Sequence, residues 1–406
     1  MKKQVLICTV SPLYPLDSGG KIYSANSILP LAGEFDFHLI AFIPPNARKE
    51  ALEHFSEHKR YFKTVQFVDR PKIPHEMEKV DKIIHYTKHI LKKLPLMDVS
   101  FYDREVISIA KKLIKKYKID ILELHNLHTC FLKREFPDIP AILAYQNIEG
   151  DIFPFWIPKS RSKWKQLIWD YIAKKSRENT YAIEINNRLN FNVKTFISLS
   201  DMERVNLKLC KGYHLPMAFE QKAVVRKKID QKIRVMWIGG FSWYPNAEGI
   251  NWFVDNIYSL LILHNITNME FHFIGGNPPE KLLNIKDNKL FFVHGWVDNV
   301  APFLEMCDLM IVPLLSGSGI RVKIIEAMSS GIPVLSTSKG CEGLNVVDGV
   351  HLFIRDDPAE FVRAILDLNS DPSIIDAISL NAIEYIKKHH NIKSCLDIKR
   401  EIYNSL

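Results

Sequence analysis

The sequence predicts an α/β protein built from two doubly wound parallel sheets, each in its own domain. Three observations predict it. Short apolar runs rich in β-forming residues alternate with helical patterns; the alternation breaks off near residue 215 and restarts near Lys232; and 406 residues exceed what one hydrophobic core usually fills.

Taken in order, an apolar run from Val5 to Val10 reads as a buried first strand, followed by the Pro/Gly loop SPLYPLDSGG and a helix from about Ser24. FDFHLIAFI, KIDILELH and PAILAYQN are further buried strands. Val106, Ile109, Ala110, Leu113 and Ile114 recur at helical spacing before the second of these. After TFISLSDMERVNLKL comes the non-periodic segment KGYHLPMAFEQKAVVRKKIDQ, and then a new strand, IRVMWIGG, with its helix AEGINWFVDNIYSLL. MEFHFIGG, LFFVHGWV, DLMIVPL and GIPVLST continue the second sheet. Asp357 before Pro358, with Glu360 three residues on, specifies a helix start with no chemistry attached. Two helices, roughly 373–389 and 392–405, close the chain.

Composition excludes a disordered or fibrous chain: 47% of residues are hydrophobic and 25% charged. The six cysteines are scattered without a CxxC pair or a close histidine partner, which argues against a disulfide framework and a zinc site. A reduced, cytoplasmic protein is the simplest expectation. The first apolar run is too short for a signal sequence or a membrane span. Net charge is uneven: residues 1–215 carry 35 Lys/Arg against 24 Asp/Glu, a net of +11, while 216–406 carry 19 against 22. The first half is therefore the one expected to face an anionic partner.

The stretch GSGIRVKIIEAMSSGIPVLS, Gly317 to Ser336, breaks a helix-start rule. Acids are preferred in a first turn because that end of the macrodipole is positive, yet Arg321 and Lys323 stand there. In a parallel sheet ligands bind beyond the carboxyl ends of strands, where helix N-termini offer free N–H groups. Gly317 and Gly319 let a ligand approach, Ser318 can donate a hydrogen bond, and the two bases suit a diphosphate. Glu326, one turn deeper, suits a ribose diol, so the set describes a nucleoside diphosphate. The plain alternative is a solvated helix start with a surface Arg/Lys–Glu pair.

Residues 153–177, FPFWIPKSRSKWKQLIWDYIAKKSR, place Trp164, Leu167, Ile168, Tyr171 and Ile172 on one helical stripe, with Lys163, Lys165, Lys174 and Lys175 outside it. Such a segment either lies on an anionic membrane surface or packs its stripe on the protein's own core.

GSGIRVKIIEAMSSGIPVLST, WIGGFSWYPNAEGINWF and FVHGWVDNVAPFLEMCDLMIVPLL together resemble the nucleotide-sugar-binding domain of retaining glycosyltransferases of the GT-B fold, family four, the glycosyl transferases group 1. The resemblance covers about 231–368 well and the first half more loosely. It implies two Rossmann-like domains facing across a cleft: an acceptor domain at 1–215, a linker at 216–230, a donor domain at 231–385, and a last helix, 386–406, crossing back to the first. It also implies transfer of a sugar from a nucleotide diphosphate to a hydroxyl of a glycan, lipid-linked or protein-linked acceptor, as in cell-surface glycan biosynthesis. Configuration would be retained without metal, resident cofactor or nucleic-acid partner. A GT-B protein that binds nucleotide sugars without turnover, or a sugar-nucleotide epimerase, is the alternative.

Carried over by position, Glu326 matches the second glutamate of the family's E-x7-E motif, the ribose residue, while the first falls at Ser318 and is lost. The family's basic pair after the first glycine of WIGGFSWYPN is also missing, its places lying near Gly240 and Asn246. Arg321 and Lys323 are expected to replace that pair and to stabilise the leaving phosphate. In the first domain Gly19 and Gly20 match the family's glycine pair. His125, with His128 as competitor, matches its histidine at the reaction centre. Gln146 or Asn147 would contact acceptor or sugar. Glu149 is a conceivable base in a mechanism that needs none, because the leaving phosphate takes the acceptor proton.

Overall fold

Strand-forming runs that are apolar at nearly every position need cover on both faces, and both sheets of the computed structural model provide it. The structure describes all residues except 1, 17, 45–46, 73–75, 153–161, 220–231, 265, 267, 286–288, 318 and 371–372. The chain divides into two units, Met1–Ala218 together with Lys393–Leu406, and Phe219–Ile392.

The first unit holds seven parallel strands: β1 Gln4–Thr9, β2 Asp36–Ile43, β3 Thr64–Asp69, β4 Ile121–His125, β5 Ala141–Tyr145, β6 Val193–Phe196 and β7 Lys211–His214. Their order is β3-β2-β1-β4-β5-β6-β7. Alternate residues feed two cores. Leu6, Cys8, Leu122, Leu124 and Leu143 pack on one side, and Val5, Ile7, Ile121 and Ile142 on the other. The closing helix Ile392–Ser405 completes the second core with Ile402 and Tyr403 beside Phe35 and Phe37. On β4, Glu123 and His125 share the face of Ile121, so they point toward that helix.

The second unit repeats the winding with six parallel strands: β8 Ile233–Ile238, β9 Met269–Ile274, β10 Phe291–Gly295, β11 Leu309–Val312, β12 Val334–Ser336 and β13 Phe353–Ile354. The order is β10-β9-β8-β11-β12-β13, so each unit reverses direction beside its first strand, at β1/β4 and at β8/β11. Phe253 packs on Phe271 and Phe273, and Phe271 stacks on Phe291 with centroids 4.9 Å apart. Asp357 Oδ1 accepts from the amides of Ala359 at 2.8 Å and Glu360 at 3.1 Å, opening the helix Pro358–Ser370.

Several local readings shift. The helix expected from about Ser24 starts at Gly19. The AEGINWFVDNIYSLL helix starts at Tyr244 and passes through a π-helical turn, Phe253–Tyr258. Between residues 47 and 101 the pattern concealed the edge strand β3 and the helices Arg48–Phe55, Lys79–Lys92 and Leu96–Phe101. β3 is partly exposed along its length, so it lacks the continuous apolar run that marked the central strands. All six cysteines are free. Among the described residues no helix is long and apolar enough to cross a membrane.

Candidate functional site

In the second unit β8 and β11 are paired neighbours, and the loops leaving their carboxyl ends meet where the strand order reverses, the usual ligand position in a doubly wound sheet. β8 gives way to Gly239–Gly240 and then to the helix Tyr244–Trp252. β11 leads through the SGSG loop into the helix Val322–Ser329. Lys323 crosses between them: its Nζ donates to Asn246 Oδ1 at 3.1 Å and lies 3.5 Å from the centroid of the Trp237 ring. Asn246 Nδ2 in turn donates to the Gly240 carbonyl at 2.7 Å. A Cβ built on Gly239 would stand 2.6 Å from that ammonium, so a glycine there makes room for the lysine. At Gly240 a Cβ would meet nothing within 4 Å.

Burial pushes the Lys323 pKa well below its ordinary value, and the neighbouring Arg321 charge pushes the same way. An amine held by an amide oxygen and an aromatic face has no carboxylate to restore its charge; an anion arriving beside it would supply one. Arg321 is the N-cap of its helix rather than a first-turn residue. Its guanidinium turns back to donate to the carbonyls of Gly319 at 3.0 Å and Ser316 at 3.4 Å. Gly317 and Gly319 hold φ of +103° and +74°, and Ser316 Oγ donates to Glu248, which also accepts from Tyr244 at 3.0 Å. Arg321 therefore braces the loop, and Lys323 is the cation beside the β8 turn. Glu326, one turn on, is half-buried, and burial raises its carboxyl above the usual range. Ser318 lies outside the described residues.

In the first unit His125, Gln146 and Gly20, among the expected residues, join a chain of hydrogen bonds with residues that were not expected. Lys399 Nζ donates to Glu123 Oε1 at 2.6 Å, and Tyr403 donates to Glu123 Oε2. His125 Nε2 pairs with Glu123 Oε1 at 2.9 Å, and its Nδ1 with Ser24 Oγ at 2.9 Å. Gln146 Nε2 reaches Ser24 Oγ at 3.4 Å and the Gly20 carbonyl at 3.2 Å. His125 is 1% exposed with both ring nitrogens engaged, so in this arrangement it ties β4 to the glycine helix. His128 does not replace it, since burial lowers its pKa to about 4 and its ring stands edge-on to Phe101. Gly19 opens the helix Gly19–Ile28, and a side chain at Gly20 would run into the Gln146 carboxamide. Asn147 and Glu149 follow β5, Glu149 opening the short helix Glu149–Ile152. Burial lifts the Glu149 carboxyl to about 7. The amides of Glu149 and Gly150 donate to the buried Glu184 at 2.8 and 3.1 Å.

Sequence reasoning overlooked Trp237, Glu123, Lys399 and Tyr403. Glu123 carried a signal, a carboxylate inside an apolar strand, which demands a buried partner. Its partners lie 276 and 280 residues away and had none. Among the described residues no three His, Cys, Asp or Glu side chains gather as a metal site. The stripe at Trp164 splits: Ile172 enters the core, while Trp164, Leu167, Ile168 and Tyr171 stay exposed. The expected segment's 153–161 portion lies outside the described residues.

Residues 232–371 match the family described as glycosyl transferases group 1. An uncharacterized 44.6 kDa protein in the cps region of Klebsiella pneumoniae is 23% identical over 407 residues, covering 97% of each chain. Sucrose-phosphate synthase from Thermosynechococcus elongatus shares the fold with a TM-score of 0.68 at 14% identity, covering 100% of this chain and 99% of its own. Anabaena HepE, solved in complex with UDP, does so at 0.64 and 13%, covering 100% of both chains. Both likenesses are of fold: two Rossmann-like domains of the GT-B kind.

Proposed function

We propose, from the premise that this chain is a glycosyltransferase of the group 1 family, that it moves a hexosyl group from a nucleoside diphosphate sugar to a hydroxyl of a glycan, lipid-linked or protein-linked acceptor, with retention and without a metal. The supporting observation is Lys323, whose ammonium sits on Trp237 and Asn246 beside the Gly239–Gly240 turn. That is where the missing basic pair of WIGGFSWYPN would have placed its charge. The diphosphate is held there by Lys323 and the amides opening the helix Val322–Ser329, on a loop that Arg321 keeps in shape. Glu326 takes the ribose. Negative charge grows on the leaving phosphate in the transition state, so Lys323 contributes more there than to the bound donor. The Klebsiella relative in a cps region fits a role in cell-surface glycan biosynthesis.

On this reading Gln146 and Asn147 belong to the acceptor side, and His125 positions the Gly19–Gly20 segment through Ser24 without touching substrate. Its closed geometry is also the observation that favours the second reading, a protein that binds nucleotide sugars without turning them over. A thermal-shift panel of UDP, GDP, ADP and CMP sugars tests the donor site, and no response to any of them overturns both readings. Release of free nucleotide in the presence of acceptor then separates transfer from binding.

A further inference from the structure

Two neighbouring helices of the first unit turn their apolar faces away from its core. On Lys79–Lys92 the buried residues are histidines: His85 Nε2 pairs with Ser100 Oγ at 3.1 Å, and His89 is fully enclosed. The opposite face, at 100° per residue, carries Val80, Ile83 and Leu91, which are 67%, 67% and 76% exposed. Lys163–Glu184 repeats the inversion. Ile172, Ser176, Thr180 and Ile183 face inward, and Trp164, at 79%, leads an exposed stripe with Leu167, Ile168 and Tyr171. The helices adjoin, Tyr86 meeting Trp169 edge-on at 5.4 Å and Asn179 Nδ2 donating to the carbonyls of His89 at 3.4 Å and Leu94 at 3.3 Å.

Basic residues border both stripes. Lys88 and Lys92 are exposed on the first helix, and Lys163 and Lys174 flank the stripe on the second. The exposed acids of the two helices are Asp81 on the first and Asp170 and Glu178 on the second; Asp170 accepts from Gln166 at 2.8 Å and Glu178 is paired with Lys175 at 2.7 Å. The half of the chain that contains them, residues 1–215, has a net charge of +11. A second copy docking here through the same face would bring lysine borders against lysine borders, whereas an anionic surface complements them. Neither helix is long and apolar enough to span a bilayer, which leaves them to lie on one.

We propose that the paired outward faces of Lys79–Lys92 and Lys163–Glu184 dock the protein on an anionic lipid bilayer, the stripes entering the headgroup boundary and the lysines meeting anionic headgroups. The surface goes beyond the transfer reading and depends on no step of it. Both helices contribute exposed apolar residues to the face.

The test is co-sedimentation of the full chain with phosphatidylcholine vesicles containing or lacking phosphatidylglycerol. Wild type is expected to bind the anionic vesicles at least ~10-fold more tightly than the neutral ones. Ile83→Glu with Leu91→Glu, and separately Leu167→Glu with Ile168→Glu, should each weaken binding by about 10-fold or more. All four sites are exposed, so thermal midpoints should hold; the corresponding Gln pairs serve if a Glu pair does not fold. Nucleotide-sugar thermal shifts should be unchanged in every variant, which keeps this proposal separable from the donor site. Failure of wild type to bind, equal binding to neutral vesicles, or full binding by the Ile83/Leu91 pair would overturn it. So would a dimer that these substitutions dissolve in a protein that vesicles never recruit.

Discussion

Both units wind their sheets in the same order and reverse direction beside the first strand, yet they spend their polar residues at that place in opposite ways. At the end of β4 the ionisable groups saturate one another: Glu123 is met by Lys399, Tyr403 and His125, and His125 by Ser24. Beyond β11 the partners of the cation, among the described residues, are an amide oxygen and an aromatic face. A saturated buried network holds structure together and has no capacity left for a ligand. A desolvated lysine with weak neutral partners gains most from an anion that is not part of the fold. The same topological position thus carries a saturated network in one unit and a cation with neutral partners in the other.

The comparison breaks most readily at Glu123. Glu123→Gln leaves Lys399 buried against a neutral group and should cost about 3–5 kcal/mol, lowering the melting midpoint of the first unit by roughly 6–20 °C. A midpoint unchanged in calorimetry would show that the network is not cohesive. Lys323→Ala should do the reverse. Here kcat/KM is expected to fall about 10- to 100-fold, the worth of a charge-assisted bond of roughly 1.5–3 kcal/mol, while the midpoint stays put or rises. Full rate with the cognate donor, or a midpoint that falls as far as that of Glu123→Gln, ends the contrast.

A pH series sharpens the picture of the first unit. The folded Glu149 carboxyl titrates near 7, above its unfolded value, so the protonated form is favoured by folding. The stability it supports is complete below the unfolded pKa and is lost as pH rises toward 7. Glu149→Gln should match wild type at acid pH and exceed it by about 1–3 kcal/mol at pH 8. An advantage of equal size at both pH values would place its origin elsewhere. The smallest effect belongs to Asp357→Ala, a lost helix cap worth about 1 kcal/mol with no change in donor binding. A change in nucleotide affinity would show that this helix is more than scaffold.

Much of the fold was legible because central parallel strands are apolar at most positions, and β1, β2, β4, β5, β8, β9 and β11 declare themselves that way. The two closing helices were legible from their own periodicity. The edge strand β3 and the helix Lys79–Lys92 were not. β3 is half-covered, and the helix buries histidines while exposing aliphatics, which inverts the pattern that normally signals a packed face. The exposed stripe after Trp164 was visible as a stripe, but whether it faced core or solvent depends on which side Ile172 and Ser176 fill.

The sequence by itself determined that two doubly wound sheets form and that a glycine-flanked basic helix start follows a strand of the second. Those are local properties, written in periodicity and in residues that must be glycine. Only the tertiary structure decided which basic residue faces the β8 turn, because Arg321 and Lys323 are separated by one residue and diverge on the helix surface, the first folding back on its loop and the second crossing to Trp237. It alone decided the fate of His125, since the groups that enclose it come from Ser24, Glu123 and, through Glu123, a helix at the far end of the chain. Hydrogen-bond saturation is a property of neighbours in space, and those neighbours lie hundreds of residues apart in the sequence.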